Sequence, residues 1–155
     1  MKKTLYVCRP VLNADAIAKW AKAQGFKQTL EPKDMHVTLA FSRAKVEWPP
    51  ADKEGLHIPA VTPRLKREVK PLGDKGAVVL AFDSSELYRR WRSFVEYGAS
   101  WDYAGYSPHV TITYDGKNVD LSKVEPYDGP IELGAEKFAE LDEDWDKKVV
   151  ERKTA

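Results

Sequence analysis

His36-Val37-Thr38-Leu39 and His109-Val110-Thr111-Ile112 share one frame, His-apolar-Thr-apolar, and take up two of the chain's three histidines. In an extended strand, residues i and i+2 point to the same face. Each segment therefore sets an imidazole beside a hydroxyl and sends its apolar pair into the opposite, buried face. Thr and Val are strand formers, so selection for strand alone enriches the pattern; its occurrence twice is what points to chemistry. Histidine's unperturbed pKa of about 6.5 makes both protonation states accessible near neutrality. If the two strands meet, one neutral imidazole can take a proton from an attacking hydroxyl while the other, as imidazolium, gives one to the leaving oxygen. The Thr38 and Thr111 hydroxyls, with any nearby cation, would hold the non-bridging oxygens of a phosphate. The reaction class implied is phosphodiester cleavage or its reverse. His57, in Gly55-Leu56-His57-Ile58-Pro59, has no Thr partner and reads as a loop or edge-strand residue.

The elements that must position these groups are legible from period and punctuation. Thr4 to Cys8 reads as a first strand ended by Arg9-Pro10. Asn13 is placed to cap a helix over Ala14 to Gln24, with Ile17, Trp20, Ala21 and Gln24 near one side and Gly25 as its stop. Met35 to Phe41 is the first motif strand. Trp48-Pro49-Pro50, Pro59, Pro63 and Pro71 then mark a long connection with short extended pieces. Within it the run Arg64 to Lys70 alternates charge with apolar residues. A half-exposed strand is the first reading of that run, and a dedicated phosphate-binding strand the second. Ala77 to Phe82 is an apolar strand. Asp83 or Ser84 caps a helix reaching about Tyr97, with Leu87, Trp91, Phe94 and Val95 on its buried side and Gly98 as its end. Trp101, Tyr103 and Tyr106 fill the loop before the second motif strand, and Trp101 could support that motif or line a cleft. A late extended segment lies around Ile131 to Leu141, and the charged tail from Lys147 to Ala155 is expected to fray.

The order strand, helix, motif strand thus occurs over residues 4–41 and again over 77–114. This is the pattern of a duplication within one domain spanning residues 1–155. Two such halves related by a pseudo-two-fold would bring both motif strands to a shared cleft. The expected fold class is α+β, bilobal, with antiparallel sheets around that cleft and helices outside.

Composition narrows the partners. The chain has 155 residues, 43% hydrophobic and 32% charged, as befits an ordinary globular protein. Its 25 basic and 24 acidic residues nearly cancel, so a strong nucleic-acid field over the whole surface is not expected. A small phosphate ester, which needs only a local basic pocket, suits it better than a long polynucleotide. No P-loop and no Gly-x-Ser-x-Gly elbow is present. Two histidines without Cys or carboxylates at ligand spacing make a poor zinc site, so metal-free acid–base chemistry without a cofactor is expected. The single cysteine, Cys8, cannot form an intrachain disulfide and reads as a small buried residue. The apolar stretch after Met1-Lys2-Lys3 is too short for a signal-peptide core, and no segment has the length of a membrane span. A cytoplasmic protein without membrane association is the expectation.

The paired His-x-Thr motifs in duplicated halves resemble the 2H phosphoesterase superfamily across roughly Thr4 to Leu141. That resemblance implies a bilobal α+β fold, no metal requirement, and His36, Thr38, His109 and Thr111 as the catalytic set. Ser100-Trp101-Asp102-Tyr103, Tyr106-Ser107-Pro108-His109-Val110-Thr111 and Glu140-Leu141-Asp142-Glu143-Asp144-Trp145 are similar to stretches of the phage anti-CBASS nucleases, which destroy cyclic oligonucleotide alarm signals. Their chemistry implies attack of a ribose 2′-OH on its own 3′–5′ phosphodiester, leaving a linear product with a 2′,3′-cyclic phosphate. On this resemblance aromatics stack the nucleobases, at about 1–3 kcal/mol per base. Tyr6 and Trp145 are the stacking candidates, each with a packing role as the competing reading, and Glu140 could accept hydrogen bonds from a base or ribose. Trp20 and Trp91, on helix faces, read as core. The substrate implied is a cyclic oligonucleotide or other small phosphodiester, with no obligate protein partner. An RNA 2′,3′-cyclic phosphodiesterase or 2′–5′ RNA ligase-like enzyme and a non-catalytic nucleotide sponge are the alternatives.

Overall fold

A computed structural model describes residues 1–62 and 67–141. Eight strands and two helices run in the order β1 (Lys3–Pro10), α1 (Ala14–Ala23), β2 (His36–Val46), β3 (Leu56–Ile58), β4 (Glu68–Leu72), β5 (Ala77–Ala81), α2 (Ser85–Glu96), β6 (His109–Thr113), β7 (Ile131–Leu133) and β8 (Lys137–Ala139). All pairings are antiparallel. One three-stranded sheet has the order β2-β1-β8, a second has β4-β5-β6, and β3 pairs with β7.

The two three-stranded sheets repeat one plan. In each, the motif strand pairs with a central strand that has an edge strand on its far side. Register is the same: His36 opposes Pro10 and Thr38 opposes Cys8, while His109 opposes Ala81 and Thr111 opposes Val79. Both motif strands also slip immediately after the threonine, where an extra residue, Leu39 or Ile112, enters. A bulge re-aims the strand and lets two successive side chains point inward. Burial records this directly. Val37, Leu39 and Ala40 are buried in one strand, Val110, Ile112 and Thr113 in the other, with the His and Thr half-buried between them.

The core lies on the opposite face from the motif side chains. Leu5, Val7, Val37 and Leu39 meet Val110, Ile112, Leu80 and Val78 there, closed by Ile17 and Ala21 of α1 and Leu87 and Phe94 of α2. Burying such aliphatic and aromatic side chains contributes roughly 1.5–3 kcal/mol each. Helix α2 is capped as expected by Ser84, whose Oγ accepts from the Leu87 amide at 3.2 Å. Gly25 and Gly98, with φ of +102° and +113°, end the two helices as expected.

Four expectations need correction. Asn13 does not cap α1 with its side chain; its Nδ2 donates to the Pro130 carbonyl and its Oδ1 accepts from the Glu132 amide, so it fastens the helix entry to β7. Val95 is exposed, because it falls at the margin of the arc that Leu87 and Phe94 centre. The late segment is two strands in different sheets, since Gly134 packs against Pro10 and the Glu136 side chain turns inward between them. Cys8 is half-buried and lies on the motif side of the sheet. The charged tail lies outside the described residues. In the basic run, Arg67 is buried and donates to the carbonyls of Pro59, Tyr127 and Gly129, while β4 begins at Glu68.

Candidate active site

Directly opposed residues of an antiparallel pair project to the same face. Thr38 and Cys8 therefore share a face with Tyr6, two residues back along β1, and His36 lies one step further along β2. The Tyr6 hydroxyl is 3.3 Å from Thr38 Oγ1, and the Tyr6 ring meets His36 edge-on with centroids 6.4 Å apart. Thr111 and His109 occupy the same positions in the second sheet.

The two sets are brought together where β2 and β6 approach. The Leu30 amide donates to the Ile112 carbonyl at 2.8 Å, tying the connection before β2 to β6. The Tyr106 hydroxyl donates to the Thr38 carbonyl at 2.7 Å, reaching from the loop before one motif to the backbone of the other. Desolvation holds the Tyr106 hydroxyl in its protonated form far above the usual phenol range, so it acts there as a fixed donor. The imidazoles are close enough for the charge of His36 to act on His109.

Both imidazoles are oriented by one device. His36 Nδ1 lies 2.8 Å from the Asp34 carbonyl and His109 Nδ1 lies 2.9 Å from the Ser107 carbonyl. A carbonyl only accepts, so Nδ1 carries the proton in each ring and Nε2 is the free nitrogen of the neutral form. The turn Pro32–Asp34 and the Ser107-Pro108 dipeptide supply these carbonyls two residues ahead of each histidine. Burial pushes the His109 pKa below the usual histidine value, with the charges of His36 and Lys70 adding to this and the Ser107 hydrogen bond opposing it. Burial also raises the Cys8 thiol and the Tyr6 hydroxyl, so both stay neutral.

The structure thus brings His36, Thr38, His109, Thr111 and Tyr6 into one region. Glu140 is exposed one residue past β8. Trp145 lies outside the described residues. Trp101 supports the second motif: it meets Tyr106 at 5.8 Å and Trp91 at 6.0 Å, and Trp91 stacks on Tyr106 at 5.4 Å. Tyr106 itself was not singled out from the sequence as a site residue, although an aromatic three residues before a motif histidine was the available signal. His57 lies in β3, outside the sheets of both motif strands, paired with Glu132 of β7. Among the described residues no cluster of three or more His, Cys, Asp or Glu is placed to hold a metal ion. No described helix is long and apolar enough to cross a membrane.

Two central clusters of strands, each with a His-x-Thr strand at the inner edge, define the 2H phosphoesterase fold. Solved structures share it. A phosphoesterase matches with a TM-score of 0.59 at 11% identity, over 89% of this chain and 87% of its own. Escherichia coli LigT, solved with 3′-AMP, matches with a TM-score of 0.57 at 12% identity over the same shares. At such identities the likeness is one of fold. Within this class the chain belongs to the family of the anti-CBASS protein Acb1, whose profile matches residues 3–148. Anti-CBASS protein Acb1 of Sphingomonas paeninsulae is 50% identical over 92% of this chain, but the chain spans only 24% of that relative's length. The relative in Acinetobacter phage Ac42 is 30% identical over 79% of this chain and 83% of its own length. That in Escherichia phage RB16 is 27% identical over 81% and 78%.

Proposed function

We propose that this chain is a phosphodiesterase that cleaves 3′–5′ bonds of cyclic di- or trinucleotide immune signals by paired-histidine acid–base catalysis, without a metal, in the service of evading CBASS defence. The single observation that carries the reading is the pairing of two His-Thr strands in the same register, each imidazole with Nδ1 on a main-chain carbonyl two residues earlier. With Nδ1 fixed on a carbonyl, each Nε2 is the group that exchanges a proton with substrate. His109, favoured in its neutral form, takes the proton from the ribose 2′-OH. The 2′ oxygen attacks phosphorus, the P–O5′ bond breaks, and His36 as imidazolium protonates the departing 5′ oxygen. The product is a linear nucleotide ending in a 2′,3′-cyclic phosphate. Thr38 and Thr111 donate to the non-bridging oxygens as charge builds on them. On this reading Tyr6, beside His36 and Thr38, packs against a base, and Glu140 and Trp145 contact the substrate's outer parts.

The test is incubation of the protein with cyclic di- and trinucleotides in excess chelator, with products separated by chromatography. Linear 2′,3′-cyclic-phosphate products are expected, and none from a 2′-deoxy substrate. His36→Ala and His109→Ala should each cost about 10²–10⁴-fold in turnover. A substrate whose leaving 5′ oxygen is replaced by sulfur needs no protonation on departure, so it should restore much of the His36→Ala rate and none of the His109→Ala rate. Full activity in either alanine variant would end the mechanism. Recovery of intact ligand from a tight complex with the unmodified protein would make the chain a sponge.

A further inference from the structure

We infer that Lys70 and Lys137 are a matched pair of substrate-binding cations, one on each flank of the cleft, that hold phosphates of the substrate other than the one being cleaved. The inference rests on the phosphodiesterase reading above and adds to it the residues that hold the substrate's remaining phosphates.

The register of the two sheets carries it. Across the first sheet, Thr38 opposes Cys8 and Cys8 opposes Lys137. Across the second, Thr111 opposes Val79 and Val79 opposes Lys70. Each lysine therefore stands on the edge strand in the same row as a motif threonine, on the same face, with one central-strand residue between. Strands lie about 4.8 Å apart, so each lysine Cα sits roughly 10 Å from its threonine, to one side of the His-Thr pair.

The neighbours fix the direction in which these side chains project. Val69 and Phe138, adjacent in sequence, pack on the hydrophobic core, so Lys70 and Lys137 face the other way. The charge of Lys137 is felt at Cys8 and that of Lys70 at His109, both groups of the motif face. Among the described residues neither lysine forms an ion pair, whereas the buried arginines Arg9 and Arg67 are committed to protein carbonyls and carboxylates. Two unpaired cations at equivalent places in both halves fit a ligand with phosphates on either side of the scissile one. With a net charge of +1 the chain lacks a general field for polyanions, so local cations of this kind are what would draw one in.

The experiment compares unmodified protein with Lys70→Gln, Lys137→Gln, the double variant, and Lys→Arg at each site, using cyclic tri-adenylate over a range of salt. Each glutamine variant should raise KM about fivefold with kcat within twofold, and arginine should restore KM. The slope of log(kcat/KM) against log[salt] should flatten by about 0.7 per lysine removed, the value for one single-strand phosphate contact. Linear adenylyl-adenosine, with a single phosphodiester, should show no change in KM. Unchanged KM and salt slope in the double variant, while unmodified protein turns the substrate over, would overturn this inference alone. Intact substrate after incubation of unmodified protein with each of the cyclic di- and trinucleotides would overturn the phosphodiesterase reading and this inference with it.

Discussion

Each motif histidine spends its Nδ1 proton on a main-chain carbonyl two residues earlier, and this small arrangement decides which nitrogen meets the substrate. Burial first, and the charges of His36 and Lys70 after it, lower the His109 pKa against the opposing Ser107 hydrogen bond. A lowered histidine pKa means that the folded protein binds fewer protons than the unfolded chain as pH falls. The stability penalty is absent above the unfolded value of about 6.5 and accumulates below it, down to the folded value. Activity follows the same sign, because a neutral base persists to lower pH. The acid limb of kcat/KM against pH should therefore lie below about 6.5. Removing one nearby positive charge in Lys70→Gln should move that limb upward. A limb at or above the free-histidine value, unmoved by the variant, would take the base role away from His109.

At the scale of elements, Asn13 separates what a local pattern says from what the tertiary structure does. An Asn ahead of a helix is a standard cap, yet its side chain here bridges to Pro130 and Glu132 instead. Asn13→Ala should cost about 1 kcal/mol, the net worth of a typical hydrogen bond. Asn13→Ser, a good cap with a shorter reach, should not restore it, and a shift of the urea midpoint measures both. Full recovery with Ser would return Asn13 to a capping role. The same contrast explains how much was legible beforehand. The motif strands, both helices and their glycine stops were visible because period and punctuation are local. The His-x-Thr frame was visible because its spacing of two is the strand's own. The breaking of the late segment into β7 and β8 was not, since it depends on Gly134 meeting Pro10 from over a hundred residues away. Tyr106 was hidden for a like reason: its hydroxyl acts on Thr38, across the two halves. The lysine rows required register, which no run of single-strand sequence contains. Cys8 is misplaced by the sequence because the apolar run Leu5-Tyr6-Val7-Cys8 makes the whole segment read as interior, whereas the buried face is that of Leu5, Val7 and Arg9.

At the scale of the whole molecule, one ionic cluster ties α2 of the second half to the first half's sheet. Glu136, fully buried just before β8, accepts from Arg90 Nε and Nη2 of α2, both at 2.8 Å, and from the Asp52 amide at 2.8 Å. Arg9 of β1 lies 3.9 Å from the same carboxylate and donates to Asp52, to the Glu54 carbonyl and to the Gly134 carbonyl. The helix of the second half is thereby bound to the first half's sheet, on the face away from the cleft. Removing the carboxylate leaves the Arg90 guanidinium with only the Pro50 carbonyl, while Arg9 keeps Asp52. Breaking a buried pair in this way costs roughly 3–5 kcal/mol, more than a pair of the same kind contributes on the surface. Glu136→Ala should therefore lower stability by about that much, whereas Arg92→Ala, which removes the exposed Arg92–Glu96 pair of the same helix, should change it by less than about 1 kcal/mol. Chemical denaturation of the two variants side by side checks this, and equal small effects would deny the cluster its role. Because Glu136 precedes Lys137 and anchors the entry to β8, the alanine variant should also raise KM for a cyclic trinucleotide at temperatures where it remains folded. That increase should vanish for a single-phosphodiester substrate, since what has moved is the outer flank of the cleft and not the histidines.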